Sequence, residues 1–303
     1  MNRFAKKLLT FIGAAVLVLT TADFLFSLLV KNIKEPRMEI WREVMEGKVS
    51  ADIVALGDSR VSTDFVPSQI DSLIGMKSYN LGTIGNHFCI QRLRYEMFRK
   101  YNEKPQILLH FVDNWSFSRP LGRNDRLQFL PWLWSKDFRR EMFLISPRHF
   151  MRMSFPWFRY HGFLPSDMNW TTAVTDRGYY PNGPAAFTPK LEDEKMNFVE
   201  NRMVEQLYRN FLKRVKNDGV DVILVIPPMM DRLEFLPGEK EKMKNCFSRI
   251  AEDLDVELLD LEKTVCDDTT FFFDEIHLRP KGAKMFCDSL AYDLMRLQPF
   301  DRP

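Results

Sequence analysis

Two rhythms alternate along this chain. Short apolar runs recur at residues 51–56, 76–82, 106–112, 220–226 and 255–261. Between them lie stretches whose apolar positions repeat at helical spacing, at 66–74, 88–102, 192–217, 239–254 and 280–297. Runs that are apolar almost throughout suit strands buried on both faces, and helices between strands suit parallel pairing. The pattern predicts an α/β fold, a three-layer α/β/α domain around a parallel sheet. A preceding amphipathic helix is expected at 33–48, with Pro36 in its first turn.

The rhythm pauses between about 115 and 191. Tryptophan, phenylalanine and tyrosine crowd this segment, interleaved with proline and arginine. Short helices are expected at 136–142 and 147–153. The segment reads as an insertion into one domain, either with an aromatic core of its own or as a cap over a cleft.

The amino terminus has a different character. Arg3, Lys6 and Lys7 precede an apolar stretch at 8–30 that is long enough to cross a bilayer as a helix. The leading positive charges place the amino terminus in the cytoplasm and the remainder outside, although Lys31, Lys34 and Arg37 weaken the asymmetry. A cleaved signal segment ending near Ala22 is the competing reading. The apolar run resumes after Asp23, which favours an uncleaved anchor over residues 1–30, with the α/β domain at 31–303 on the periplasmic or extracellular side.

Composition narrows the remaining classes. The 303 residues are 45% hydrophobic, enough for a sizeable core, and Lys+Arg 43 against Asp+Glu 41 gives a formal charge of +2. That balance does not point to nucleic acid as a partner. Cys89, Cys246, Cys266 and Cys287 have no zinc-ligand spacing. They can be buried thiols or, outside the cytoplasm, oxidised pairs.

The chemistry lies at strand ends. The first core run breaks at Gly57-Asp58 and then offers Ser59. This is the carboxyl edge where open α/β sheets place reacting groups, although Ser59 could equally cap the next helix. Near the other end stand Asp274 and His277, three residues apart before a helix. In a tight turn that spacing lets a carboxylate hold Nδ1 of the imidazole and leave Nε2 as a base for a serine hydroxyl. The Gly82 N–H and the Asn114 amide, at two further strand ends, are candidate oxyanion donors. Asp58 is expected to hold its turn. Arg60 is expected to bind an anionic group or to lie in solvent. His87 and His110 lie near strand ends, where they could line the site, but are expected to be structural, and His149 and His161 have no metal-ligand spacing.

These blocks carry a resemblance. Gly57-Asp58-Ser59, the glycine of Asn80-Leu81-Gly82, a polar amide after the third strand, and Asp274-x-x-His277 together resemble the SGNH (GDSL-type) hydrolase superfamily over residues 51 to about 295. The resemblance implies a serine esterase or O-acyltransferase that needs no metal or organic cofactor. Ser59 would be its nucleophile, Asp274 and His277 its catalytic pair, and Gly82 and Asn114 its oxyanion donors. One block departs: the family's Gly-x-Asn-Asp is replaced here by His110-Phe111-Val112-Asp113-Asn114, so Asn86 could supply the amide instead. Anchored members with an insertion are similar to the D-alanine transfer protein and the alginate O-acetyltransferase family. That similarity implies an acylated envelope polysaccharide or other acyl ester as substrate, and a membrane-bound O-acyltransferase as partner. The competing expectation is a non-catalytic envelope protein that binds a glycan or partner in the same cleft.

Overall fold

The computed structural model describes residues 2–33, 36–85, 88–118, 128, 130–145, 147–155, 159–160, 176–183, 187, 189 and 195–297. The chain divides into two compact units, one of residues 1–42 and 122–172, the other of residues 43–121 and 173–303.

The larger unit holds a five-stranded parallel sheet of order β2-β1-β3-β4-β5, with β1 Ile53–Leu56, β2 Ser78–Asn80, β3 Ile107–Phe111, β4 Asp221–Ile226 and β5 Glu257–Asp260. Strands β1 and β3 are buried along their whole length, as their unbroken apolar runs require. The edge strand β5 is only half-covered. Helices α3 Ser59–Asp64, α4 Pro67–Ile74, α5 Phe88–Tyr101, α8 Arg202–Asn217, α9 Glu239–Leu254 and α10 Pro280–Arg296 connect and flank the strands. One apolar cluster runs from Ile53 and Ala55 through Phe111 and Val225 to Phe286 and Leu290. The strand order reverses direction between β1 and β3. Their carboxyl ends therefore open the crevice in which such sheets hold ligands.

One predicted element is shorter than its pattern suggested. The helix expected over 192–217 begins at Arg202, because the Asn201 side chain accepts the Val204 N–H and caps it. Upstream, Met196 instead bridges to Phe235 in extended backbone. Residues 176–183, where the chain returns from the insertion, line the β2 edge: the Asn80 N–H donates to Arg177 O at 2.9 Å. At Gly178, φ is +90° and an added Cβ would lie 2.0 Å from the Asn80 carbonyl oxygen, so only glycine fits.

The smaller unit is built on α1 Arg3–Lys31, a helix long and apolar enough to cross a membrane. Helix α2 Pro36–Met45, a 3₁₀ turn Leu130–Trp134, α6 Lys136–Ile145 and α7 Pro147–Ser154 follow. Trp41 packs edge-on against Phe138 at 5.5 Å, and its indole N–H donates to Gln128. Leu130, Trp132, Leu133, Phe138 and Met142 are buried, so these insertion side chains form a core.

Candidate active site

Strand β1 ends at Leu56, and Gly57-Asp58 turns the chain into α3. The capping residue of that helix is Asp58, whose carboxylate accepts the Arg60 N–H at 2.9 Å. Ser59 is therefore released from the capping role. Its Oγ lies 2.7 Å from His277 Nε2. The other ring nitrogen, Nδ1, lies 2.8 Å from both oxygens of Asp274. Asp274 is fully buried, and its Oδ1 also accepts the backbone N–H groups of Ile276 and His277 at 3.1 and 2.8 Å. A carboxylate gripping its own turn in this way cannot swing away from the imidazole. Ser59 and His277 are half-buried, so the hydroxyl remains reachable.

The turn is braced from three sides. Asn80, at the end of β2, uses its whole amide: Nδ2 donates to Val61 O and Phe65 O at 2.6 and 2.8 Å, and Oδ1 accepts the Gly82 N–H at 2.8 Å. Helix α3 is thereby fixed to the sheet edge. Arg60 lies neither in solvent nor on an anion site. It is buried, and its guanidinium donates to Pro227 O at 2.8 Å and to Pro228 O. The end of β4 is thus tied to the serine helix.

The third brace acts on the histidine loop. Asp64, the last residue of α3, accepts the Leu278 N–H at 3.0 Å, and Asn182 donates to Leu278 O at 2.9 Å. Both backbone groups of the residue after His277 are held. None of Asn80, Asp64 and Asn182 was singled out from sequence. Asn80 did carry a signal, a polar residue closing a strand directly before a glycine turn.

The expected oxyanion donors are occupied. The Gly82 N–H is taken by Asn80, and a Cβ there would lie 2.3 Å from Ser62 N, so this glycine lets the turn approach α3 closely. The Asn114 amide faces Asn197 O at 3.4 Å, and the Asn114 carbonyl accepts the Val199 N–H. The Ser59 N–H has no backbone acceptor among the described residues. Asn86 and His87 lie outside those residues, as do the side chain of His149 and all of His161. His110 is structural: it is buried, contacts Tyr208 Oη at 3.1 Å, and sits among Phe88, Tyr208 and Phe211. Cys246, Cys266 and Cys287 are free thiols.

Charge near the site is unevenly held. Desolvation and then the adjacent Asp113 carboxyl push Asp58 well above the usual carboxylate range, which the Arg60 charge only partly offsets. Burial pushes Asp64 up to about 6, against the opposing pull of His277 and Arg60. Burial alone brings His110 down to about 3.

A hydroxyl, an imidazole and a buried carboxylate in line form the arrangement that activates a serine for attack on an electrophilic carbon. No family model matches the chain, and no curated protein matches it. Among solved structures it is similar to an acetyl xylan esterase at 14% identity and TM-score 0.43, covering 80% of this chain and 98% of that one. It is also similar to an acetylxylan esterase from Geobacillus stearothermophilus at 13% identity and TM-score 0.41, covering 82% and 93%. A GDSL-like lipase from Bacteroides thetaiotaomicron has 12% identity and TM-score 0.41, covering 87% and 100%.

Proposed function

We propose that this protein is a serine-dependent acyl-ester enzyme of the SGNH type. The observation that carries the reading is the line from Ser59 Oγ through both His277 nitrogens to Asp274. In the first half-reaction Ser59 Oγ bonds to the acyl carbonyl carbon while His277 Nε2 takes the hydroxyl proton. The tetrahedral adduct collapses, the bond to the departing alcohol breaks, and Nε2 returns the proton to that oxygen. In the second, water or another hydroxyl attacks the acyl carbon of the Ser59 ester while Nε2 takes its proton; the bond to Ser59 Oγ then breaks and Nε2 returns the proton to Oγ. Asp274 stays ionised and holds the ring tautomer.

The Ser59 N–H, which has no backbone acceptor among the described residues, is the first oxyanion donor in this reading. Gly82 and Asn114 join it by exchanging their present partners, Asn80 and the Asn197 carbonyl, for the oxyanion. In hydrolysis the substrate is an acylated cell-envelope polysaccharide or another acyl ester; in transfer the polysaccharide is the acceptor and a membrane-bound O-acyltransferase is the acyl supplier. The apolar stretch of α1, with Arg3, Lys6 and Lys7 in the helix's first turns, supports a single-pass anchor with this domain outside.

Product partitioning tests the choice between transfer and hydrolysis. The purified protein is given an activated ester with and without a panel of envelope glycans, and products are read by mass spectrometry. Acylated sugar formed with ping-pong kinetics is expected. Fast release of free acid, with no acylated acceptor from any glycan, would make it an esterase.

A further inference from the structure

The end of α1 is not bare. Its buried residues are Asp23, Ser27 and Val30, one stripe at helical spacing. Arg159 pairs with Asp23 at 3.0 Å, with both side chains almost fully covered. Ser27 accepts from Tyr160 Oη at 2.8 Å and from the Trp134 indole at 3.3 Å. The rings of Phe24 and Phe26 meet Trp134 and Tyr160 edge-on. The insertion therefore clasps the last turns of α1, and the charge in the apolar helix is neutralised within this unit.

Depth follows from helix geometry. Leu8 to Ser27 is 20 residues, and at roughly 1.5 Å per residue such a helix spans the ~30 Å hydrocarbon core of a bilayer. A span that starts after Lys7 therefore ends no earlier than Ser27. The side chains touching Asp23 and Ser27 then lie at the level of the membrane boundary, and the rest of the clasp cannot be far from it.

The surface of the clasp suits that level. Among the described side chains of α6, Lys136, Arg139, Arg140 and Phe143 are exposed, one stripe at i, i+3, i+4 and i+7, opposite the buried Phe138 and Met142. Around α7, Met151 and Phe155 are exposed four residues apart. Basic residues beside exposed apolar side chains on short amphipathic helices mark a segment lying in the headgroup layer. Trp134 is half-exposed where α1 and the clasp meet, a usual site for an interfacial tryptophan.

We infer that α6 and α7 form a shelf seated in the headgroup layer of the membrane that α1 crosses. Phe143, Met151 and Phe155 enter the lipid, and Lys136, Arg139 and Arg140 meet phospholipid phosphates. The inference rests on α1 spanning the bilayer. The shelf also makes the end of α1 part of a folded unit, so the helix stays attached.

Photo-crosslinking of the full chain tests the inference. Phe143, Met151, Phe155 and, on α1, Leu17 are each replaced by p-benzoylphenylalanine. Each variant is reconstituted in vesicles of phosphatidylethanolamine and phosphatidylglycerol. On irradiation the benzophenone takes a hydrogen from an acyl C–H and bonds to that carbon, adding one lipid mass. Lipid adducts at all four positions are expected. Adducts at Leu17 alone, or links from the shelf to a second copy of this chain, would overturn the shelf and leave the anchor standing. Loss of the adduct at Leu17 as well would remove the anchor reading, and the shelf with it.

Discussion

Asp64 accepts the Leu278 N–H at 3.0 Å, tying the loop that carries His277 to the helix that begins at Ser59. Asn182 holds the carbonyl of the same residue. Nucleophile and base thus depend on one backbone clamp. Misplacement by ~1 Å costs about 10²-fold in rate. Asn182→Ala is therefore expected to lower kcat on an activated ester by roughly ten- to a hundredfold, with KM changing less. Steady-state kinetics beside thermal melting check this. A proportional fall in stability with an unchanged kcat would make Asn182 merely structural.

The same clamp has a pH signature. Burial raises the Asp64 carboxyl from 3.8 to about 6, so the native state favours its protonated form. Its contribution to stability is full below about 3.8 and is lost as pH rises through about 6. Asn in its place has no such loss and keeps an oxygen for the Leu278 N–H. Relative to the native chain, Asp64→Asn is expected to gain stability between pH 4 and pH 7 by up to about 3 kcal/mol. Urea unfolding at the two pH values measures the difference.

His110 works in the opposite direction. Burial brings its pKa from 6.5 to about 3, so the native state holds it neutral while the unfolded chain takes up a proton. Stability is full above about 6.5 and falls as pH drops towards 3. His110→Gln, which cannot take up that proton, is expected to flatten the acid side of the stability curve. Denaturation midpoints from pH 3.5 to 7 report the slope.

Gly178 tests whether the returning segment must press against the sheet edge. Its positive φ and the 2.0 Å approach to the Asn80 carbonyl leave no room for Cβ. Gly178→Ala is expected to destabilise by roughly 2–4 kcal/mol and to reduce turnover, because Asn80 also fixes α3. A variant with native stability would show that the segment can lift away without consequence.

Much of this architecture was legible because it is local. Apolar runs marked β1, β3 and β4, and proline at the first position marked α4 and α10. Asp274 and His277 could be paired from spacing alone, since a three-residue turn brings a carboxylate to its own imidazole. Ser59 and His277 stand 218 residues apart, and only the ordered blocks of the resemblance joined them beforehand. Asp64 and Asn182 were not legible because each acts on the backbone of a distant residue, where side-chain identity leaves no pattern. Arg60 misled for a related reason: arginine usually reads as surface, yet here its guanidinium is buried and donates to two carbonyls just after β4. Asn201 was overlooked because the periodicity of 192–217 ran through it, and a cap outweighs periodicity at a helix end.

The central claim is that Ser59 is an activated nucleophile, and covalent labelling tests it most directly. A fluorophosphonate bonds through phosphorus to Ser59 Oγ and expels fluoride only if a base removes the hydroxyl proton. Intact-mass and peptide mass spectrometry of the full-length protein are expected to show one adduct, on Ser59. Ser59→Ala should abolish it, and His277→Ala should slow it by roughly 10³-fold or more. No adduct on the native chain, or equally fast labelling in His277→Ala, would contradict the account.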